Sequence, residues 1–265
     1  MLAADLRRLD NIMIYPQVVD LPLQVDASSW SWSKIQDNNF WIGHEINGTK
    51  WLVKGRGSFY ALRERAAAYL LQTVGINSQS SSFLILPDNS LPVTEKPDIE
   101  RYQLAIRYID EHDGDCVDLD SCPLDKLNDQ FDKAREKVSF LKTNPISNII
   151  DWVKVDVMAC LCGANEPSGR LFSRDHKMYV IDNEQMFSTK PSNPIVDIDW
   201  FEEEYDATIN LTLDLCERLS KINKRDIQLF TAIPDGYVVN ELWSITKLIE
   251  FTVQYAKDFF KQYGC

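Results

Sequence analysis

Nearly every strand-like run in this chain lies before Asp110, and nearly every helical run lies after it. That order describes two lobes around one cleft, a sheet-rich part followed by a helical one. In the first part, residues 39–55 hold two apolar runs joined by Asn47-Gly48. This dipeptide supplies the positive φ angles of a tight turn, so the segment reads as an antiparallel hairpin. From Ala61 to Gly75, Leu62, Ala66, Tyr69, Leu70 and Val74 recur at three-to-four spacing. The pattern predicts a helix stopped by Gly75. Two further strands are expected over 81–87 and 102–110, separated by a Pro-rich connection.

After Asp110 comes an acidic loop, EHDGDCVDLDSCPLD, and the lobe boundary is placed there, giving an N-lobe of residues 1–110 and a C-lobe of 111–265. Helical periodicity covers about 124–142, 145–162, 207–221 and 238–262, the last strongly amphipathic. A second hairpin interrupts them, with RLFS and MYVID on either side of the polar turn 174–177.

Composition narrows the function classes. The chain's 28 basic against 40 acidic side chains give a formal charge of −12, which repels nucleic-acid phosphates and anionic lipid surfaces. No nucleic-acid partner is expected. The six cysteines show neither a disulfide framework nor paired zinc spacing, and the three histidines are far apart, so a reduced, cytoplasmic setting without a structural metal is expected. The first residues lack the apolar core of a signal peptide, and no run of 18 apolar residues occurs, so no membrane span is expected.

Phosphoryl transfer needs a lysine on the phosphates, a carboxylate to hold that lysine, metal-binding carboxylates and a group that orients the attacking hydroxyl. Lys54 ends the apolar strand KWLVK, and Glu64 lies in the first turns of the next helix. A strand-edge lysine and a solvated helix glutamate would show the same spacing. The whole segment WLVKGRGSFYALRERAAAYLLQTVGI resembles the N-lobe of HipA-like kinases and, more remotely, that of type II phosphatidylinositol 4-kinases. The resemblance runs over residues 40–190. It implies an α+β, two-lobed protein-kinase-like fold with an antiparallel-sheet N-lobe carrying one helix and a mostly helical C-lobe. It further implies ATP and Mg2+ as cofactors, with Lys54 on the phosphates, Glu64 holding it, and Tyr108, Ile109 and Asp110 near the adenine.

In the C-lobe, VMACLCGANEPSGRLFS resembles the catalytic segment of the same family, with three departures. The catalytic aspartate becomes Glu166, a histidine becomes Ser168, and the metal-binding asparagine becomes Leu171. Glu166 keeps a carboxylate able to act as base, whereas Leu171 has no lone pair for a metal. MYVIDNEQMF resembles the family's metal-binding strand, which makes Asp182 a metal ligand. Asp182 and Glu184 are two residues apart, and strand alternation would put both on one face, so Glu184 is expected to supply the magnesium ligand that Leu171 cannot. The loop over the nucleotide is sought in DASSWSWSKIQDN, where Ser29 and Ser31, with Ser28 and Ser33, offer donors to phosphate oxygens. Trp30 and Trp32 are candidates for stacking or for plain packing. Three activities stay open: a kinase acting on a hydroxyl of an unidentified protein, peptide or small molecule, a pseudokinase, and an AMPylase.

Overall fold

The computed structural model describes residues 22–34, 40–54, 58–85, 104–108, 117–118, 150–165, 168–172, 178–194, 205–235, 237 and 242–264. Six strands form the first sheet: β1 (Gln24–Asp26), β2 (Ser31–Lys34), β3 (Phe40–His44), β4 (Lys50–Lys54), β5 (Ser81–Ile85) and β6 (Leu104–Arg107). Their order is β1-β5-β6-β4-β3-β2. All neighbours are antiparallel, as expected, except β1 and β5, which run parallel and make the sheet mixed. β1 is three residues long, too short to show an alternating pattern, and two backbone bonds flank it, from Phe83 N–H to the Leu23 carbonyl and from Ala27 N–H to the Ile85 carbonyl.

The β3–β4 hairpin closes as its dipeptide predicts. Gly48 has φ +88°, and Asn47 Oδ1 accepts from Thr49 N–H at 2.8 Å. Along β4 the side chains alternate. Trp51 and Val53 join Trp30, Trp41, Leu84 and Ala105 in a small core on one face, while Leu52 packs against the main core. Lys54 shares Leu52's face by the period of two, which is how a charged side chain comes to point inward.

That inward face is covered by α1 (Ser58–Thr73). Ala61, Leu62, Ala66, Ala67, Leu70 and Leu71 are all fully enclosed. A helix apolar on most sides must be buried on most sides, and its alanines allow close approach to the sheet. It stops at Gly75, with φ +88°, where Ile76 N–H reaches back to the Leu71 carbonyl at 2.9 Å.

A second, three-stranded sheet orders β7 (Val117–Asp118), β8 (Gly169–Phe172) and β9 (Met178–Ile181), adding a strand from the acidic linker to the expected hairpin. The helices are α2 (Ile150–Leu161), α3 (Tyr205–Ser220), α4 (Lys224–Phe230) and α5 (Leu242–Tyr263). The helix expected over 124–142 and the lobe boundary at 110 fall outside the described residues. The sequence pattern does not announce α4; at seven residues it shows too few turns for periodicity, and a capping box between Asn223 and Asp226 fixes its start. On α5, Ile245, Ile249, Val253 and Ala256 repeat at helical spacing and are buried. They share one core with Leu62 and Leu70 of α1, Met158 of α2, Val180 of β9 and Leu215 of α3. Among the described residues, no helix is long and apolar enough to cross a membrane.

Candidate active site

Three elements converge on the inward face of the sheet, two of them neighbours in sequence and the third 128 positions from Lys54. β4 delivers Lys54, the second turn of α1 delivers Glu64, and the chain leaving β9 delivers Asp182. Lys54 Nζ donates to Glu64 Oε1 at 2.7 Å and also to Asp182 Oδ1. The lysine and glutamate side chains are almost wholly enclosed, at 2% and 5% exposure, whereas Asp182 is open at 48%. A buried pair thus faces one accessible carboxylate.

β9 is fixed from behind by the segment that follows α1. Val180 N–H donates to the Asn77 carbonyl at 2.9 Å, and Ser78 Oγ donates to the Val180 carbonyl at 3.1 Å. Asn183 Nδ2 in turn donates to Ser78 Oγ. Beyond Ile181 the strand geometry ends. Asp182 takes the left-handed conformation, φ 52° and ψ 50°, and residues 183–185 form a 3-10 turn. Non-glycine residues seldom adopt that region, and they do so mainly where the surrounding structure enforces it. Strand alternation therefore does not relate Asp182 to Glu184. It is the turn that brings Glu184 back, so that one oxygen each of Glu64, Asp182 and Glu184 lies within 4.8 Å of the others.

Arg63, next to Glu64 on α1, is 5% exposed. Its Nε donates to the Met186 carbonyl at 2.9 Å, its Nη2 donates to Ser188 Oγ, and its guanidinium lies over Phe59. Arg65 is buried against Tyr69 and Phe83. Neither belongs to a surface basic patch. The segment that Arg63 holds also touches the end of α2, where Phe187 N–H donates to the Cys162 carbonyl at 2.8 Å and Ser188 N–H to Gly163. Gly163 has φ +60°, and a Cβ there would lie 2.8 Å from the Lys190 carbonyl oxygen and closer still to that of Thr189. This glycine is required by close approach.

Charge follows geometry. Burial pulls the Lys54 ammonium down, but Glu64 and Asp182 together raise it above its ordinary value. Burial pushes the Glu64 carboxyl up, Lys54 opposes this, and the neighbouring Glu184 and Asp182 add to the rise. Burial lowers Arg63, partly offset by Tyr60 and Glu184. The buried Cys216 thiol is pushed up to about 12 and the Cys162 thiol rises as well, which leaves both inert as nucleophiles.

The remaining expected residues divide. Ser168, buried, precedes β8, and Gly169 pairs with Ile181, so a Cβ on Gly169 would lie 3.7 Å from Asp182 Oδ2. Gly169 therefore stands beside Asp182. Glu166 itself, and Ile109 and Asp110, lie outside the described residues; Leu171 lies in β8 opposite Tyr179. Tyr108 follows β6 and donates its N–H to the Lys50 carbonyl at 3.1 Å. Ser29 and Ser31 are not brought to the site. Ser31 pairs with His44, whereas Lys54 pairs with Phe40, so the serines stand at the opposite end of the strands, roughly 13 Å along them. Ser29 lines an open groove of about 560 Å³ with Trp30, Glu45 and Asn47. Trp30 is a packing residue, stacked on Trp51 with ring centres 5.7 Å apart.

The carboxylate trio offers hard oxygen donors, the set that suits Mg2+ or Mn2+ and not a soft metal. Its fit to a divalent ion rests on Glu64 Oε2, which is enclosed and has no hydrogen-bond partner among the described residues.

A curled sheet with one helix carrying a glutamate to a strand lysine, joined to a helical lobe whose small hairpin ends in an aspartate, defines a protein-kinase-like fold. Among solved structures the chain is similar to the Helicobacter pylori proinflammatory kinase CtkA, with a TM-score of 0.57 and 10% identity over 89% of this chain and 98% of that one. It also matches a golgi casein kinase, with a TM-score of 0.46 and 12% identity over 89% of this chain and 72% of that one. No family model and no curated protein sequence matches it.

Proposed function

We propose that this protein is an ATP-dependent phosphotransferase of HipA-like character, acting on a hydroxyl of a protein, peptide or small molecule. The observation that carries the reading is the contact of the buried Lys54 with Glu64 and with Asp182, the latter 128 positions away. Holding an ammonium in the core is costly unless it is paired, and an arrangement that leaves one carboxylate open to solvent suits a cleft that receives a charged ligand. Lys54 binds the phosphates, Glu64 orients it, Asp182 and Glu184 hold Mg2+, and Glu166 accepts the hydroxyl proton. When bound, the metal neutralises charge on the transferring phosphoryl group. Tyr108, with Ile109 and Asp110, borders the adenine.

A second reading, a nucleotide-binding pseudokinase, is favoured by Leu171, which cannot ligate a metal. An assay with magnesium and ATP labelled separately at the γ and α phosphates, run beside Asp182→Ala, separates the possibilities. Asp182-dependent γ-label on the protein or on a lysate component supports the kinase, and α-label points to AMPylation. Absence of any transfer, with ATP still raising the melting temperature, leaves the pseudokinase.

A further inference from the structure

Among the described residues, carboxylates gather around Lys54. Glu64, Asp182 and Glu184 bring three carboxylates together, and Lys54 is bonded to two of them. Arg63 is close enough to Glu184 to be affected by it, but its donors are directed to the Met186 carbonyl and Ser188. Glu64 spends one oxygen on Lys54, and its other oxygen is enclosed without a hydrogen-bond donor among the described residues. A carboxylate oxygen left bare in the interior keeps the full penalty of desolvation, and a cation is what relieves it.

We infer that Glu64, Asp182 and Glu184 form a site for one hard divalent cation that fills without nucleotide, and that Lys54 is the competing occupant, displaced from Asp182 when the cation enters. Three carboxylate oxygens within 4.8 Å of one another match the converging oxygen donors that Mg2+ and Mn2+ require. A dication and an ammonium held by the same carboxylates repel each other, so binding of the first weakens the hold on the second. Glu64 then has two duties, as partner of Lys54 and as metal ligand. The released amine is free to turn to phosphate oxygens; this last step alone rests on the phosphotransferase reading.

The test uses the full chain, free of nucleotide, titrated with Mn2+ by calorimetry and by the electron paramagnetic resonance of the bound ion. Lys54→Met should bind Mn2+ about tenfold or more tightly than the unaltered protein, because the competing cation is gone. Asp182→Asn and Glu184→Gln should each weaken binding by about tenfold or more, and Lys54→Met with Glu64→Gln should be weaker than Lys54→Met alone by a similar factor. Should Lys54→Met fail to fold by circular dichroism, Lys54→Gln, which retains a donor for Glu64, carries the same expectation. A lysine variant that folds and binds no more tightly overturns the competition. Unchanged affinity on adding Glu64→Gln overturns its role as ligand, and no Mn2+ binding by any folded form overturns the site. Since ATP is absent throughout, Mn2+ binding as described in a protein that transfers no phosphate would sink the phosphotransferase reading and leave this one standing.

Discussion

Lys54 and Glu64 are a case in which burial and pairing have to be weighed against each other. Removing one partner of a buried ion pair costs about 3–5 kcal/mol, so Lys54→Met should lower the melting temperature sharply at neutral pH. The pH dependence follows from the directions of the two shifts. Lys54 is raised, so its contribution is complete below its unfolded value of about 10.4 and is lost only as pH climbs through the raised one. Glu64 is also raised, so its protonated form favours the fold, and that contribution is lost as pH rises through the raised value. Without Lys54 nothing opposes that rise. The stability deficit of Lys54→Met should therefore shrink between pH 8 and pH 5; thermal melts showing an equal deficit at both would contradict the charge assignment. Much of this pair was legible from sequence, because a strand lysine and the first turns of the following helix are local. Arg63 was not legible. On spacing alone it is one more basic residue in a basic stretch, and only the fold turns it onto Met186 and Ser188.

At the scale of elements, two glycines in turns make opposite predictions. Both Gly48 and Gly163 have positive φ, but a Cβ at Gly48 meets nothing within 4 Å, whereas one at Gly163 meets the backbone of Thr189 and Lys190. Gly48→Ala should cost about 1–2 kcal/mol, the left-handed penalty alone. Gly163→Ala should cost more than that, since the chain leaving Asp182 must also shift. Chemical denaturation of the two variants measures the difference, and equal losses would contradict the docking of that segment on α2. Arg63→Met tests the other anchor of the same segment, and it should loosen the turn at Asp182 without breaking the Lys54–Glu64 bond. The distance of Ser31 from Lys54 escapes the sequence for a reason of the same kind. Ser31 and Ser33 lie within a four-residue edge strand, and a short polar strand has the composition of a loop. The proximity of Asp182 and Glu184 is legible in the sequence only through strand alternation, where a left-handed residue and a 3-10 turn supply it instead.

For the whole molecule, the order of strands before Asp110 and helices after it carried the fold class, because each half shows its own periodicity. What periodicity could not show is that the main core runs unbroken from α1 through α2 and α3 to α5. Leu70→Ala on α1 and Ile249→Ala on α5 should each cost about 2–5 kcal/mol and shift one common transition. Helical circular dichroism showing two separate steps would contradict that continuity.

Calorimetric titration of the purified chain with MgATP, beside Lys54→Met, Asp182→Asn and Ser29→Ala, measures whether the Lys54 cluster is a nucleotide site. The expected result is binding that falls by about tenfold or more in the first two variants and is unchanged in Ser29→Ala, which lies at the far end of the sheet. Binding that survives loss of Lys54 and Asp182, or that depends on Ser29, would contradict it.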